Sequence, residues 1–497
     1  MVETTPLLKG GFLRAVPRPD SIATLFLPFL SFLLNAGAAD STFIQIHAQG
    51  WTQMGRLMHV TDTLGGTGTP VNLNGNWQQS SGAQFTAVAS IGDGLEGALG
   101  FGGYQIYHSQ GTSTQQRLMR TLFQNFITEA RMTWFQGEKS HPDLSLTFGK
   151  FSYNYNPDVK NMGLYLLRGP VYPGYLMSGF KDFSTDTTKG NILGGRIHQA
   201  LGNFQQDLIF SNERDLPPTF DWSLAYVAKF RAFDAIEVGG GVNFYRLIPN
   251  DSKLEDVRNP EPTGDTAHPI DTVTYSNQGV KLMAMFNVDF KKWLPVPGMG
   301  RNDFKLYGEA AVLGVKNYGS YYDNVLRRIP VMVGFNIPTF GWLDLFSLEV
   351  EWYGSRYRNS LYKIGNYNTL YQPPSNLVPL TPVLTVPQPL PLSYKEYYGQ
   401  DLNSNGQLLI NNGVGFDTLQ VKGTAWDVEN LTTDNWKWSL YLEKTVHRHI
   451  GFIAQVANDH FRPRPVVVTP SNEKGGMAEA FTAPGDWYWM LRVGYYF

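Results

Sequence analysis

The chain has 497 residues, with 40 Lys and Arg against 42 Asp and Glu, a formal net charge of −2. That balance excludes a nucleic-acid surface of the usual kind, which needs a basic stripe. The absence of Cys excludes a disulfide framework and a thiolate metal site. Aromatic residues make up 14 % of the chain although mean hydropathy is only −0.24, so greasy and wet positions must be interleaved rather than gathered into long apolar runs.

The amino terminus has the composition of a targeting segment. Lys9, Arg14 and Arg18 precede an apolar run from Ile22 to Leu34, and the small residues Ala36, Gly37, Ala38 and Ala39 follow. The run is shorter than the ~20 residues that a membrane-spanning helix needs, and its flanks are those of a secretory signal peptide. The reading is a signal peptide over 1–39, cleaved after Ala38 or Ala39, and one domain over 40–497. Removing three basic and two acidic side chains leaves 37 against 40, a net charge near −3. The rest of the sequence has no apolar stretch long enough to span a membrane as a helix.

Alternation begins just after the cleavage site. Between 42 and 54, Ile44, Ile46 and Ala48 share one face and Gln45, His47, Gln49 and Gln53 the other. Segments of the same character follow at 83–91, 95–107, 123–136, 144–151, 191–199, 204–211, 221–231 and 235–248. The series continues at 275–290, 304–315, 329–337, 345–356, 435–446, 450–460 and 487–497, sixteen strands in all, with fourteen to eighteen as bounds. Connections after even-numbered strands are mostly short, such as 92–94, 200–203, 232–234 and 447–449. Those after odd-numbered strands are longer, up to 357–434. Tight Gly/Asp connections make hairpins. A regular alternation of short turns and long loops, with an even strand count, is the layout of a transmembrane barrel.

The last strand carries the sharpest signal. Counting back in twos from Phe497 gives Tyr495, Val493, Leu491, Trp489 and Trp487, while Arg492 falls in the other set. One face is greasy and one is wet, over the roughly 9–11 residues a tilted strand needs to cross a bilayer. The segment resembles the closing strand of bacterial outer-membrane β-barrels, in which a terminal Phe serves as an assembly signal, so Phe497 and Tyr495 are the candidate signal here. The fold class is therefore all-β, a transmembrane antiparallel up-and-down barrel with short periplasmic turns and long extracellular loops. A large soluble β-sandwich or β-helix is the rival, and the core of a sandwich could also use the apolar faces of 222–230, 280–288 and 346–352.

With no plug or passenger domain ahead of the first strand, the layout of the mature chain resembles the general porins. A local feature adds to this. Asp143 to Phe151 looks like the short porin strand that precedes the third outer loop, ending here in Gly149-Lys150. In porins that loop folds into the lumen. The resemblance thus implies a constriction in 152–190, with Lys160, Tyr165, Arg168, Tyr172 and Tyr175 as candidates, stiffened by Pro157, Pro170 and Pro173. Strand parity points Glu129, Arg131, Arg196, Lys281, Glu309, Glu349, Glu351 and Arg492 into the lumen as pore-lining candidates. The whole lumen-facing set is nearly balanced, roughly nine acidic against eight basic, whereas a selective pore uses rings of one sign. Most such groups should pair across neighbouring strands.

Asp401, Asn403, Asn405 and Gly406 match the start of a calcium-binding loop, but Asn412 stands where the bidentate Glu belongs. Any Ca2+ site would be weak, and no other cofactor is expected. The nine His are scattered and no catalytic constellation stands out. The function expected is a porin passing small hydrophilic solutes by diffusion, with outer-membrane lipid, the assembly machinery and, by resemblance, two further copies in a homotrimer as partners. The alternative is a surface scaffold barrel whose long loops bind a polysaccharide or another protein.

Overall fold

The computed structural model describes residues 42–60, 63–64, 71–72, 74–75, 77–92, 94–108, 122–167, 190–212, 221–250, 256–262, 270–276, 279–294, 296–312, 314–315, 325–353, 408–411, 416–419, 436–459 and 484–497. Sixteen antiparallel strands close into one barrel. In chain order they are β1 (Thr42–His59), β2 (Trp77–Ile91), β3 (Leu95–His108), β4 (Leu122–Glu138), β5 (His141–Tyr153) and β6 (Gly190–Leu201). Then follow β7 (Phe204–Asn212), β8 (Trp222–Ala232), β9 (Ile236–Ile248), β10 (Gly279–Asp289) and β11 (Lys305–Val312). The last five are β12 (Pro330–Asn336), β13 (Leu345–Tyr353), β14 (Trp436–Val446), β15 (Ile450–Asn458) and β16 (Trp487–Tyr496). Each pairs with its neighbours in sequence, and β1 pairs with β16 to close the ring.

All sixteen segments expected from alternation are strands, with shifted ends. β2 begins at Trp77 rather than near 83, because Gln78, Gln79, Ser80 and Ser81 lie opposite β1 in register. A Gln/Ser-rich stretch has no apolar period, so only pairing could reveal it. Near 275 the outcome is reversed: Ile270–Ser276 belongs to a separate hairpin, and β10 starts at Gly279.

The barrel is apolar outside and polar inside. On β16, Leu491, Val493 and Tyr495 are 45 %, 41 % and 43 % exposed, while Tyr488, Met490 and Arg492 are buried. The same inversion holds on β13, where Ser347, Glu349 and Glu351 are buried inward. Lipid requires this arrangement, and closing the sheet leaves no row of unpaired backbone groups to face hydrocarbon. These polar inward faces decide against the sandwich, whose interior would be the apolar one. Ring side chains cluster on the outer surface toward strand ends, including Trp77 edge-on to Trp489 at 5.5 Å and Trp352 opposite Trp436, as expected of an interfacial girdle.

The seam is staggered. β16 pairs with β1 from Gln49↔Tyr496 to His59↔Trp487, and the Phe497 N–H donates to the Ala48 carbonyl at 2.7 Å. The carboxyl terminus thus meets β1 at Ala48, above its start at Thr42. At the same end of the barrel the longer turns brace one another. The Asp303 carboxylate accepts from Gly300 N at 2.9 Å, Phe340 N at 3.1 Å and the Thr339 hydroxyl at 3.1 Å, tying the β10–β11 turn to the β12–β13 turn.

The β4–β5 ladder has a position that demands glycine. Gly149 on β5 has φ +113°, and a Cβ there would lie 2.1 Å from the Ala130 carbonyl oxygen on β4. Gly149→Ala is expected to destabilise the barrel by about 1–3 kcal/mol through forced φ and a parted β4–β5 ladder. A lowered unfolding midpoint of the purified protein checks this.

Candidate functional site

After Tyr153 the chain turns into the barrel, and residues 154–167 lie inside it. Tyr155, Val159, Met162, Leu164, Tyr165 and Leu166 are each at most 3 % exposed. They pack with Met283 and Met285 of β10, Tyr307 of β11 and Met332 of β12 in one buried cluster. The loop therefore fills the space in front of the β10–β13 wall instead of lying on the rim.

Two carboxylates hold it there. Glu349 of β13 accepts from the backbone N–H of Lys160 (2.5 Å), Asn161 (2.8 Å) and Met162 (3.0 Å), and from the Tyr307 hydroxyl (3.0 Å). Glu309 of β11 accepts from the N–H of Leu164 (2.9 Å) and Tyr165 (2.8 Å) and from the Tyr155 hydroxyl (2.6 Å). A buried carboxylate is costly unless its lone pairs are answered, and several charge-assisted hydrogen bonds answer these. Further ties are Tyr165 hydroxyl to Glu351 (2.8 Å), Asn161 Nδ2 to Ser439 (2.7 Å), Asn243 Nδ2 to the Leu166 carbonyl (2.9 Å) and the Lys305–Asp158 ion pair (2.8 Å). Lys305 is the first residue of β11, so the loop reaches down to the level of the short turns. Gly163 lets the loop come this close: its φ is +74°, and a Cβ would sit 2.8 Å from Met332 Cε.

The opposite wall stays open. Arg131 bridges Glu96 at 2.7 Å and also binds Glu129, while Lys139 binds Glu96 at 2.6 Å. Asp207 gathers Arg196 (2.7 Å), His198 (2.8 Å) and the Tyr153 hydroxyl (2.7 Å), and the Arg196 guanidinium lies 4.9 Å over the Tyr153 ring. These two charge clusters line a cavity of about 940 Å³. A second cavity of about 610 Å³ lies between the β8–β9 and β10–β11 turns. Pro157, Lys160 and Lys229 line both. In the β10–β11 turn, burial lowers the affinity of the Lys291 ammonium for its proton; Asp289 opposes this and Lys305 adds to it.

Of the residues expected to line the pore, Glu129, Arg131 and Arg196 face open space. Lys281, Glu309, Glu349, Glu351 and Arg492 point inward as parity requires, but each is at most 6 % exposed, so they do not meet water in the lumen. For Glu309, Glu349 and Glu351 the cause is the loop seated on them. Arg492 instead lies over the Trp51 ring at 4.8 Å and Lys281 over Tyr245 at 5.9 Å. Lys160 and Tyr165 are in the inward loop. Arg168, Tyr172, Tyr175, the proposed calcium residues Asp401, Asn403 and Asn405, and the signal segment 1–39 lie outside the described residues. Phe497 packs edge-on against Tyr495 at 4.5 Å on the exterior. Sequence reasoning missed Tyr155, Asn161 and Tyr307 as anchors, for nothing in their spacing signals partners that lie 42 to 278 residues away.

The structure is thus a closed antiparallel barrel of sixteen strands, apolar outside, with residues 154–167 folded in and charge clusters facing the space that remains. No known family model and no curated protein matches the chain. Among solved structures it is similar to the OmpF of Salmonella typhi in complex with daunomycin, at 9 % identity and a TM-score of 0.40, over 91 % of this chain and 97 % of that one. It is also similar to a triple mutant of the Rhodopseudomonas blastica porin, at 7 % identity and a TM-score of 0.37, over 92 % and 100 %.

Glu349→Ala leaves three loop N–H groups without their acceptor, at about 1–3 kcal/mol for each that stays buried. We expect a lower unfolding midpoint and faster protease cleavage within 154–167. Tyr165→Phe removes a single hydroxyl that donates to the Glu351 carboxylate, so its effect should be about 1.5–3 kcal/mol. Equal cleavage in wild type and Glu349→Ala would show that the carboxylate does not hold the loop.

Proposed function

We propose that the protein is an outer-membrane porin, a water-filled channel through which small hydrophilic solutes diffuse passively with weak ion selectivity and without catalysis. The supporting observation is the pair of charge-lined cavities that meet at Lys160 and Lys229 beside the inward loop. With the loop sealed against β10–β13, the path runs off-centre along the β3–β8 wall. Many of its charges come in opposite-sign pairs, such as Arg131 with Glu96, Arg196 with Asp207 and Lys305 with Asp158. Paired charges orient a polar solute but give little net field, unlike the single-sign rings of selective pores. Export through cleavage of 1–39, recognition of Phe497 and Tyr495 by the assembly machinery, and association as a homotrimer belong to the same reading.

Planar-bilayer recording of the purified full-length protein tests it. Stable conductance steps are expected, with a reversal potential in a tenfold KCl gradient well below the ~59 mV of a perfectly selective monovalent pore. Glu349→Ala should give larger steps, because the loop no longer occupies the lumen. Silence of the wild-type protein would reject the porin and favour a scaffold barrel that acts through its long loops.

A further inference from the structure

We propose that the cavity at the periplasmic mouth is a binding site for a multivalent oxyanion of the orthophosphate class, held by Lys160, Lys292, Arg301 and the Asn336 side-chain amide. Lys160 comes from the inward loop, Lys292 and Arg301 from the β10–β11 turn, and Asn336 from the end of β12; all four line the same space of about 610 Å³. One water takes ~30 Å³ in the liquid, so the space admits a hydrated oxyanion.

Charge bookkeeping singles out these cations. Four carboxylates line the cavity, and three are answered: Asp158 by Lys305 at 2.8 Å, Glu237 by Arg231 at 3.0 Å and Asp289 by Lys291 at 3.6 Å. Only Asp234 has no ion pair among the described residues. Lys160, Lys292 and Arg301 likewise have none, and the Lys160 ammonium donates only to the Pro157 carbonyl, at 3.2 Å. Three cations against one carboxylate leave a local positive surplus. These cations are wet, and exposed pairs with a monovalent ion are weak, so the site should prefer an anion of higher charge that engages several at once.

A second, independent observation points to a ligand. Asn336 is 1 % exposed, and neither its amide nitrogen nor its amide oxygen has a hydrogen-bond partner. Asn287 Oδ1, on the same cavity, is also unpartnered. Buried amides are rarely left unpaired in folded proteins. An amide that offers N–H and accepts O–H matches an oxyanion carrying both O⁻ and O–H near neutral pH, as hydrogen phosphate does. Lys160 also borders the larger cavity, so a solute passing between the two spaces moves along the site.

The inference deepens the porin reading and rests on it only for how the solute arrives. Binding of inorganic phosphate to the full-length protein in detergent, followed by 31P line broadening and calorimetry, needs no conductance. Wild type should bind, and the double variant Lys160→Gln with Arg301→Gln should bind at least tenfold more weakly, with Asn336→Ala also weakened. In the double variant the Lys160 backbone bond to Glu349 remains, so the loop stays seated, and an unchanged unfolding midpoint verifies this. In bilayers, phosphate on the periplasmic side should reduce chloride current in wild type and not in the double variant. No phosphate binding, or equal binding in wild type and double variant, overturns the site even when the channel conducts. Binding by a protein that never conducts supports the site and rejects the porin.

Discussion

Two buried carboxylates decide the interior of this barrel. Glu309 and Glu349 project from the inner face of the β11–β13 wall, and each grips the inward loop mainly by backbone N–H groups. Backbone donors impose no side-chain requirement on the loop, so these carboxylates constrain its path rather than its composition. Once the loop follows that path, Val159, Met162, Leu164 and Leu166 are buried against methionines of the wall. The polar clasp and the apolar packing then reinforce each other: water excluded by the side chains strengthens the hydrogen bonds.

The asymmetry of the lumen follows. On the β10–β13 side the inward charges answer the loop, and on the β3–β8 side they answer one another across neighbouring strands. The first arrangement blocks space and the second leaves it open. The tip of the loop, with Asp158 bound to Lys305, brings the narrow region down to the turns. Cations of those turns thereby share a cavity with Lys160, which lies far from them in sequence. The interturn bridge through Asp303 keeps the β10–β11 turn folded beneath the barrel, where Lys292 and Arg301 line the mouth.

Much of the architecture was legible in the residues. Strand number, the order of short turns and long loops, the outward set on β16 and the inward Arg492 all follow from a period of two, because lipid on one side and polar groups on the other act on every second side chain. β2 was legible only in its second half, since Gln78 to Ser81 carry no apolar rhythm and are strand by virtue of their partner. The inward direction of Glu309, Glu349 and Glu351 was legible too. That they would be sealed rather than wet was not, because burial depends on a loop more than a hundred residues away in sequence.

The sequence by itself thus determined a closed transmembrane barrel and which side chains face its interior, since alternation is a local property dictated by the two solvents of the wall. Tertiary structure alone decided which of those inward charges face a cavity, which clasp a loop, and that Lys160 and Asn336 line one cavity. Those are contacts between distant segments, fixed by where buried carboxylates find their donors.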